Sequence, residues 1–369
     1  MNEYFDTLYD WWKNIDKSIF FLICIFFLLG LFFSLASTSI IASDKLNTNS
    51  YYFFLKHFSF VVIGVIIILL FSLLNQKILI NLSIILFLFA LITLFLVPLI
   101  GVEVKGSKRW LDIGVLPKFQ PIETLKPFFV IVISLLLSSD KKNLYFKYFI
   151  STFILLPTII LLLAQPDLGQ TLLLTSVWLT VVFVSGINLI LFSFSVLTVS
   201  SLTFYLIYFV PKFEYIKIRL SSFLDTSGGN NYQADKASDA ISNGGFFGKG
   251  IGEGTLNTRI PEAHTDYIMS VIAEEFGVII VVGIILLYLI FSYRVIKKIK
   301  FIENNNFKLI LIGCITLILV QTFIHVGVNI RMLPTTGMTM PFLSYGGSSI
   351  IGTSILTGII LNLTKRKLI

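Results

Sequence analysis

Charge is scarce in this chain: only 13% of its 369 residues are Asp, Glu, Lys or Arg, against 56% hydrophobic residues and 36 Phe. A helix that faces water needs a polar side, so runs such as "FFLICIFFLLGLFFSLA" at residues 20–36 exclude an ordinary soluble core. Cysteine is almost missing. Cys24 and Cys314 both fall inside apolar runs, which supports neither a disulfide framework nor a cysteine metal site. The three histidines, His57, His264 and His325, lack the close spacing of a histidine metal motif. A cleavable leader is not visible either: acids and bases mix before residue 17, no small-residue cleavage site follows, and the first apolar run is long enough to span and anchor. The net charge of +8 rides on so apolar a chain that it does not point to nucleic acid. No repeat of fixed period is present, and "ENNN" at 303–306 reads as a turn.

What is present is a series of apolar runs near the bilayer-spanning length. They predict an all-α polytopic membrane protein with ten spans, at about 18–40, 58–75, 78–100, 121–138, 148–164, 169–186, 188–210, 266–293, 309–330 and 343–363. With the N-terminus inside, half of the 28 basic residues fall in inner segments, including Lys141, Lys142, Arg366 and Lys367, and fewer, such as Lys45, in short outer ones. Both termini are then cytoplasmic. The chain reads as one integral domain over 1–369, with a membrane core at 17–365 and a large extracytoplasmic loop at 211–265 between the seventh and eighth spans. Loops of that length tend to carry function.

On this topology four polar clusters gather on the outer side. The first joins "KGSKRWLDIG" at 105–114 to "FQPIETLK" at 119–126. Its Lys105, Lys108, Arg109 and Lys126 beside Trp110 suit an anionic head group, or plain anchoring at the surface. In "QPDLGQ" at 165–170, Asp167 can be a helix cap or a ligand, and capping is the default. The long loop carries "SGGNNYQ" at 227–233 and "NGGFFGKGIGEG" at 243–254, then "PEAHTDY" at 261–267; the glycine-rich part lacks Walker spacing and a preceding strand. The fourth cluster is "RMLPTTGMTMPFLSYGGSS" at 331–349, whose "YGGSS" has packing as its default reading.

Asp266 lies where the eighth predicted span begins, near free backbone donors, so it can cap that helix. Capping does not account for Glu274 and Glu275, which at ~1.5 Å per residue lie roughly 12–14 Å further along, where ionisable groups are costly in a bilayer. At ~100° per residue Glu274 is about 80° and Glu275 about 180° around from Asp266, so the three cannot line one face as a glycosidase carboxylate pair would. One outer base with supporting intramembrane acids fits better. A partner for Glu274 is expected among His325, Asn329 and Lys126.

These motifs, in this order, resemble the SEDS family (shape, elongation, division and sporulation) of multi-pass peptidoglycan polymerases. The resemblance covers about residues 11–364. "WWKNIDK", "GEGTLNTRIPEAHTD" and "HVGVN" look more like its cell-division branch, while "LPTTG" points to the elongation branch. Ile122 stands where the family usually has Ser. The resemblance implies a ten-span fold with a lipid-facing groove, and lipid II as donor and growing acceptor. It implies Asp266 as the catalytic base, with Lys108, Arg109, Trp110 and Lys126 toward the diphosphate. Gln120, Glu123, Asp167, Tyr232, Gln233, His264, Ser344 and Tyr345 would bind substrate, and Glu274 and Glu275 would support the site. The one cofactor it points to is a divalent cation, magnesium or manganese, that could share the diphosphate's charge. Implied partners are the growing glycan strand, a class B penicillin-binding protein transpeptidase and other division-site membrane proteins, in the bacterial inner membrane at the septum. A lipid II flippase and a scaffold are the rival readings.

Overall fold

The computed structural model describes residues 2–38, 51–104, 107–112, 114, 117–139, 143–224, 232–256, 260 and 262–365. Lys45, Lys105, Lys141, Lys142, Pro261, Arg366, Lys367 and residues 227–231 of the loop motif lie outside them. The chain starts with α1 (Asn2–Asn14) and α2 (Lys17–Phe33), which runs on as a π-helical segment, Ser34–Thr38. Next come α3 (Tyr52–Leu73), α4 (Gln76–Ile100) and a hairpin of β1 (Val102–Val104) and β2 (Ser107–Trp110). Four apolar helices follow: α5 (Pro121–Ser138), α6 (Leu144–Ala164), α7 (Leu168–Val184) and α8 (Leu189–Phe209). The long predicted loop is itself partly helical, with α9 (Glu214–Leu224) and α10 (Tyr232–Gly244). The chain ends with α11 (Ile268–Phe276), α12 (Val278–Ile299), α13 (Asn305–Asn329) and α14 (Gly347–Leu363).

Short polar side chains start several of these helices. Asp16, Asn75, Asn143, Asp167, Asn188 and Asn304 each accept a backbone N–H of their own first turn, satisfying donors that the helix leaves open. Among the described residues eight helices are long and apolar enough to cross a membrane by length and composition: α2 to α6, α8, α12 and α13. The shorter α7 and α14 are apolar too. These ten occupy the ten predicted runs, with α3 beginning earlier than predicted and α14 later.

Burial separates centre from rim. The apolar window of α5 is 72% buried inside the bundle and that of α13 67%, against 6% for α8. The central helices approach closely where side chains are small: a β-carbon on Gly352 of α14 would stand 2.3 Å from the Glu123 carbonyl oxygen of α5. One end of the bundle is tied by Asp16 to Lys298 at 2.7 Å, by the Trp11 indole to Ser72 at 2.9 Å, and by Asn362, which donates to the Phe71, Ser72 and Leu74 carbonyls. The hairpin and the long loop lie at the opposite end.

The eighth predicted span needs correction. It is two helices, because Gly277 between α11 and α12 has φ 85° and ψ 164°, a left-handed conformation that interrupts the helix and suits glycine. The spanning helix therefore begins at Val278, and Glu274 and Glu275 belong to the short α11 before it.

Candidate active site

The site forms where the hairpin, the α6–α7 corner, the α11 turn and the α13–α14 loop meet. On β2, side chains alternate, so the exposed Lys108 faces away from its neighbour Arg109. Arg109 turns toward the corner: its Nε donates to the Gln165 carbonyl at 3.1 Å, its Nη2 donates to the Pro166 carbonyl, and Nε lies 3.8 Å from the Asp167 carboxylate. Asp167 caps α7 through the Gln170 N–H at 3.3 Å and accepts from the Gln120 amide at 3.4 Å. It is both cap and partner of the site. Burial raises its carboxyl above the ordinary value, and Arg109 opposes that shift.

Asp266 lies in the turn before α11, its N–H bonded to the Glu262 carbonyl at 3.1 Å. Its own carbonyl accepts from Asn329 at 3.1 Å, and Asn329 in turn accepts from the Ser270 hydroxyl at 2.7 Å. The α13–α14 loop closes over this turn: Ser344 donates to the Thr265 carbonyl at 2.6 Å, and the Tyr345 N–H donates to the His264 carbonyl at 3.0 Å. The rings of Phe53, His57 and His264 surround Tyr345 with centroids 5.6, 6.0 and 5.7 Å away. In the same loop, an ideal β-carbon on Gly337 would stand 3.5 Å from Arg109 Nη1 and 3.5 Å from Asp266 Oδ2. The two charged atoms are thus at most twice that distance apart, beside a residue with no side chain. Burial and then the charge of Asp266 push the adjacent Tyr267 phenol well up.

Other predicted site residues go elsewhere. Lys126 is buried, with its ammonium 2.8 Å from Glu123 Oε2 and 3.2 Å from Gln321 Oε1, and Glu123 also accepts from Gln170 at 2.7 Å. It neutralises a carboxylate one helical turn away and does not reach Asp266's side chain through any described bond. A cavity of about 10 Å³, room for roughly one water, lies beside this pair and is lined by Gln321 and Thr353. Trp110 is half-buried on β2, while Tyr232 and Gln233 are exposed at the start of α10. The described hydrogen bonds of Glu274 go to groups other than the three expected ones. Its Oε1 accepts from Asn243 at 2.9 Å and from the Thr255 and Leu256 N–H groups at 3.0 and 2.9 Å. Glu275 is buried beside it, its carbonyl accepting the Gly250 N–H at 3.0 Å. The glycine-rich loop is therefore a structural seat for α11. His325 instead bonds the Met338 carbonyl at 2.7 Å.

Two residues here were missed from sequence. Gly337 stood in the quoted "LPTTG", where a glycine between Thr336 and Met338 carries no local sign of a charged site. Arg219, on α9, was one of several loop cations; its Nη1 donates to the Thr335 carbonyl at 3.5 Å. Among the described residues no group of three or more His, Cys, Asp or Glu gathers to hold a metal. Magnesium or manganese would be held here by one or two carboxylates together with the diphosphate oxygens, where it would share the leaving group's charge.

The fold and the site together define a polytopic membrane protein with the Asp266 carboxylate and the Arg109 guanidinium both beside Gly337 at one end of a helical bundle. Residues 16–368 match the FtsW/RodA/SpoVE family of cell cycle proteins, and the chain belongs to that family, the SEDS proteins. It is 29% identical over 368 residues to the probable peptidoglycan glycosyltransferase FtsW of Caulobacter vibrioides, covering 97% of this chain and 91% of that one. To the protein of the same description from Coxiella burnetii it is 32% identical over 343 residues, with 89% and 91% covered. It is similar to a solved chain of a peptidoglycan synthase complex that coordinates polymerization and crosslinking, with TM-score 0.77, 27% identity and coverage of 95% and 97%. Its fold is also that of the rod shape determining protein RodA of Thermus thermophilus, with TM-score 0.70, 24% identity and coverage of 95% and 96%.

Proposed function

We infer that this chain is a membrane-embedded peptidoglycan glycosyltransferase that polymerises lipid II into β-1,4 glycan strands. The observation that carries the reading is the placement of both the Asp266 carboxylate and the Arg109 guanidinium beside Gly337. The acceptor's 4-hydroxyl attacks the donor's anomeric carbon; the new bond forms from oxygen to carbon as the carbon–diphosphate bond breaks and its electron pair leaves with undecaprenyl diphosphate. Asp266 takes the hydroxyl proton, and Arg109 offsets the charge that develops on the leaving group. Attack from the opposite side converts the α-linked donor to a β-linkage.

A lipid II flippase would need a groove, outer phosphate-binding cations and intramembrane acids such as Glu274 and Glu275. Their position on α11, with Glu274 bound to loop N–H groups, removes that support. We read the chain as one integral unit with both termini in the cytoplasm and the site on the outer face. The FtsW-named relatives favour work at the septum beside a class B penicillin-binding protein. The test is glycan synthesis from lipid II by purified chain with its transpeptidase partner in detergent. Glycan that lengthens with the parental chain and is absent with Asp266→Asn supports the reading; equal synthesis by both overturns it.

A further inference from the structure

We propose that Arg219 is a second diphosphate-binding residue, which together with Arg109 grips the two phosphoryl groups of the lipid-borne donor. The inference rests on the glycosyltransferase reading and extends it to a residue on the long loop.

Arg219 is placed by three features of α9. Its guanidinium lies over the Tyr215 ring, 5.8 Å from the centroid. Tyr215 is itself fixed by donating to the Leu163 carbonyl at 3.0 Å, at the same α6–α7 corner that holds Arg109. The Arg219 Nη1 donates to Thr335, two residues before Gly337. At ~3.6 Å per residue of extended chain, that anchor is within roughly 7 Å of the residue flanked by Arg109 and Asp266.

The electrostatics agree with this placement. Burial first, and then the Arg109 guanidinium, pull the Arg219 pKa below its ordinary value, while Tyr215, Asp167 and Tyr267 act in the opposite direction. Two guanidiniums that feel each other repel, so the arrangement gains most when an anion lies between them. Arg219 also has donors to spare: among the described residues it makes only the one long hydrogen bond. A guanidinium fork matches one phosphoryl group in two-point fashion, so two forks match a diphosphate better than a single phosphate or carboxylate. Exposed Lys217 on the same helix lies toward Tyr208, 5.9 Å from its ring, and provides a control for general loss of positive charge.

The experiment measures competition against lipid II turnover by inorganic pyrophosphate and by a sugar-free polyprenyl diphosphate, with calorimetry of both ligands on the purified chain. Arg219→Gln should weaken both competitors about tenfold or more, the loss of one or more charge-assisted hydrogen bonds. Arg219→Lys should fall between, Lys217→Gln should match the parent, and melting temperatures should stay together. Unchanged competition and binding in Arg219→Gln overturn the proposal. Weakening of pyrophosphate alone overturns the assignment to the lipid-borne group. If the parental chain binds diphosphate through Arg219 yet makes no glycan, the binding site stands and the polymerase reading falls.

Discussion

Arg109 and Asp266 meet beside Gly337, each with a side-chain atom 3.5 Å from where a β-carbon would be. A methyl group there would touch both charged groups at ordinary van der Waals distance, while φ of 69° adds strain of about 1–2 kcal/mol for alanine. Gly337→Ala should therefore lower turnover about tenfold by shifting the strained loop beside the reacting groups, with the protein still folded. Parallel glycan assays and thermal melts check this; turnover at the parental rate would remove Gly337 from the site.

Asp266→Asn keeps shape and loses the ability to accept a proton at neutral pH. Turnover should drop by about two to four orders of magnitude. Membrane level and partner capture should be nearly parental, because asparagine keeps the side chain's shape and leaves the backbone bonds of this turn to Glu262 and Asn329 in place. Retained polymerisation would refute the base assignment.

Lys126 should behave as a structural ion. Both it and Glu123 are buried, so Lys126→Met leaves a carboxylate without its cation and should destabilise by about 3–5 kcal/mol. Pairing it with Glu123→Met should recover protein level in the membrane. Stable Lys126→Met protein with weakened diphosphate binding would instead return Lys126 to the substrate.

Glu274→Ala deprives two loop N–H groups and Asn243 of their acceptor and should destabilise by about 2–4 kcal/mol. Glu274→Gln keeps one oxygen and should be milder. Melting curves of the two variants decide the order, and a Gln variant that folds like the parent but makes no glycan would place Glu274 in the proton path.

Asp16 gives a pH dependence at the far end of the bundle. Burial alone would raise its carboxyl, but the Lys298 ammonium and the Ile19 N–H outweigh burial and hold it below 3.8. Its contribution is fully present above the unfolded value and is lost as pH falls through the lower folded one. Asp16→Asn should lower the melting point at pH 7, by about 1 kcal/mol in stability, and the gap to the parent should close in strong acid. A gap unchanged by pH would show that the cap, and not the charge, is what matters.

The ten spans were legible in the sequence because a bilayer sets a minimum apolar length and Asn or Asp marks where several helices begin. Counting antiparallel spans also put Arg109, Asp167 and Asp266 at one end. Their convergence was not legible, since the approach of residues so far apart in the chain depends on how the hairpin, the α6–α7 corner and the α13–α14 loop pack. Glu274 was misplaced because helical periodicity passes through "AEEFGV" unbroken, whereas the backbone turns at Gly277. The i, i+3 spacing of Glu123 and Lys126 was visible, but only burial decided that the pair faces inward. Arg219 and Gly337 reached the site by tertiary contact alone. Local sequence controls span length and helix start, while chain packing determines which polar groups share a place.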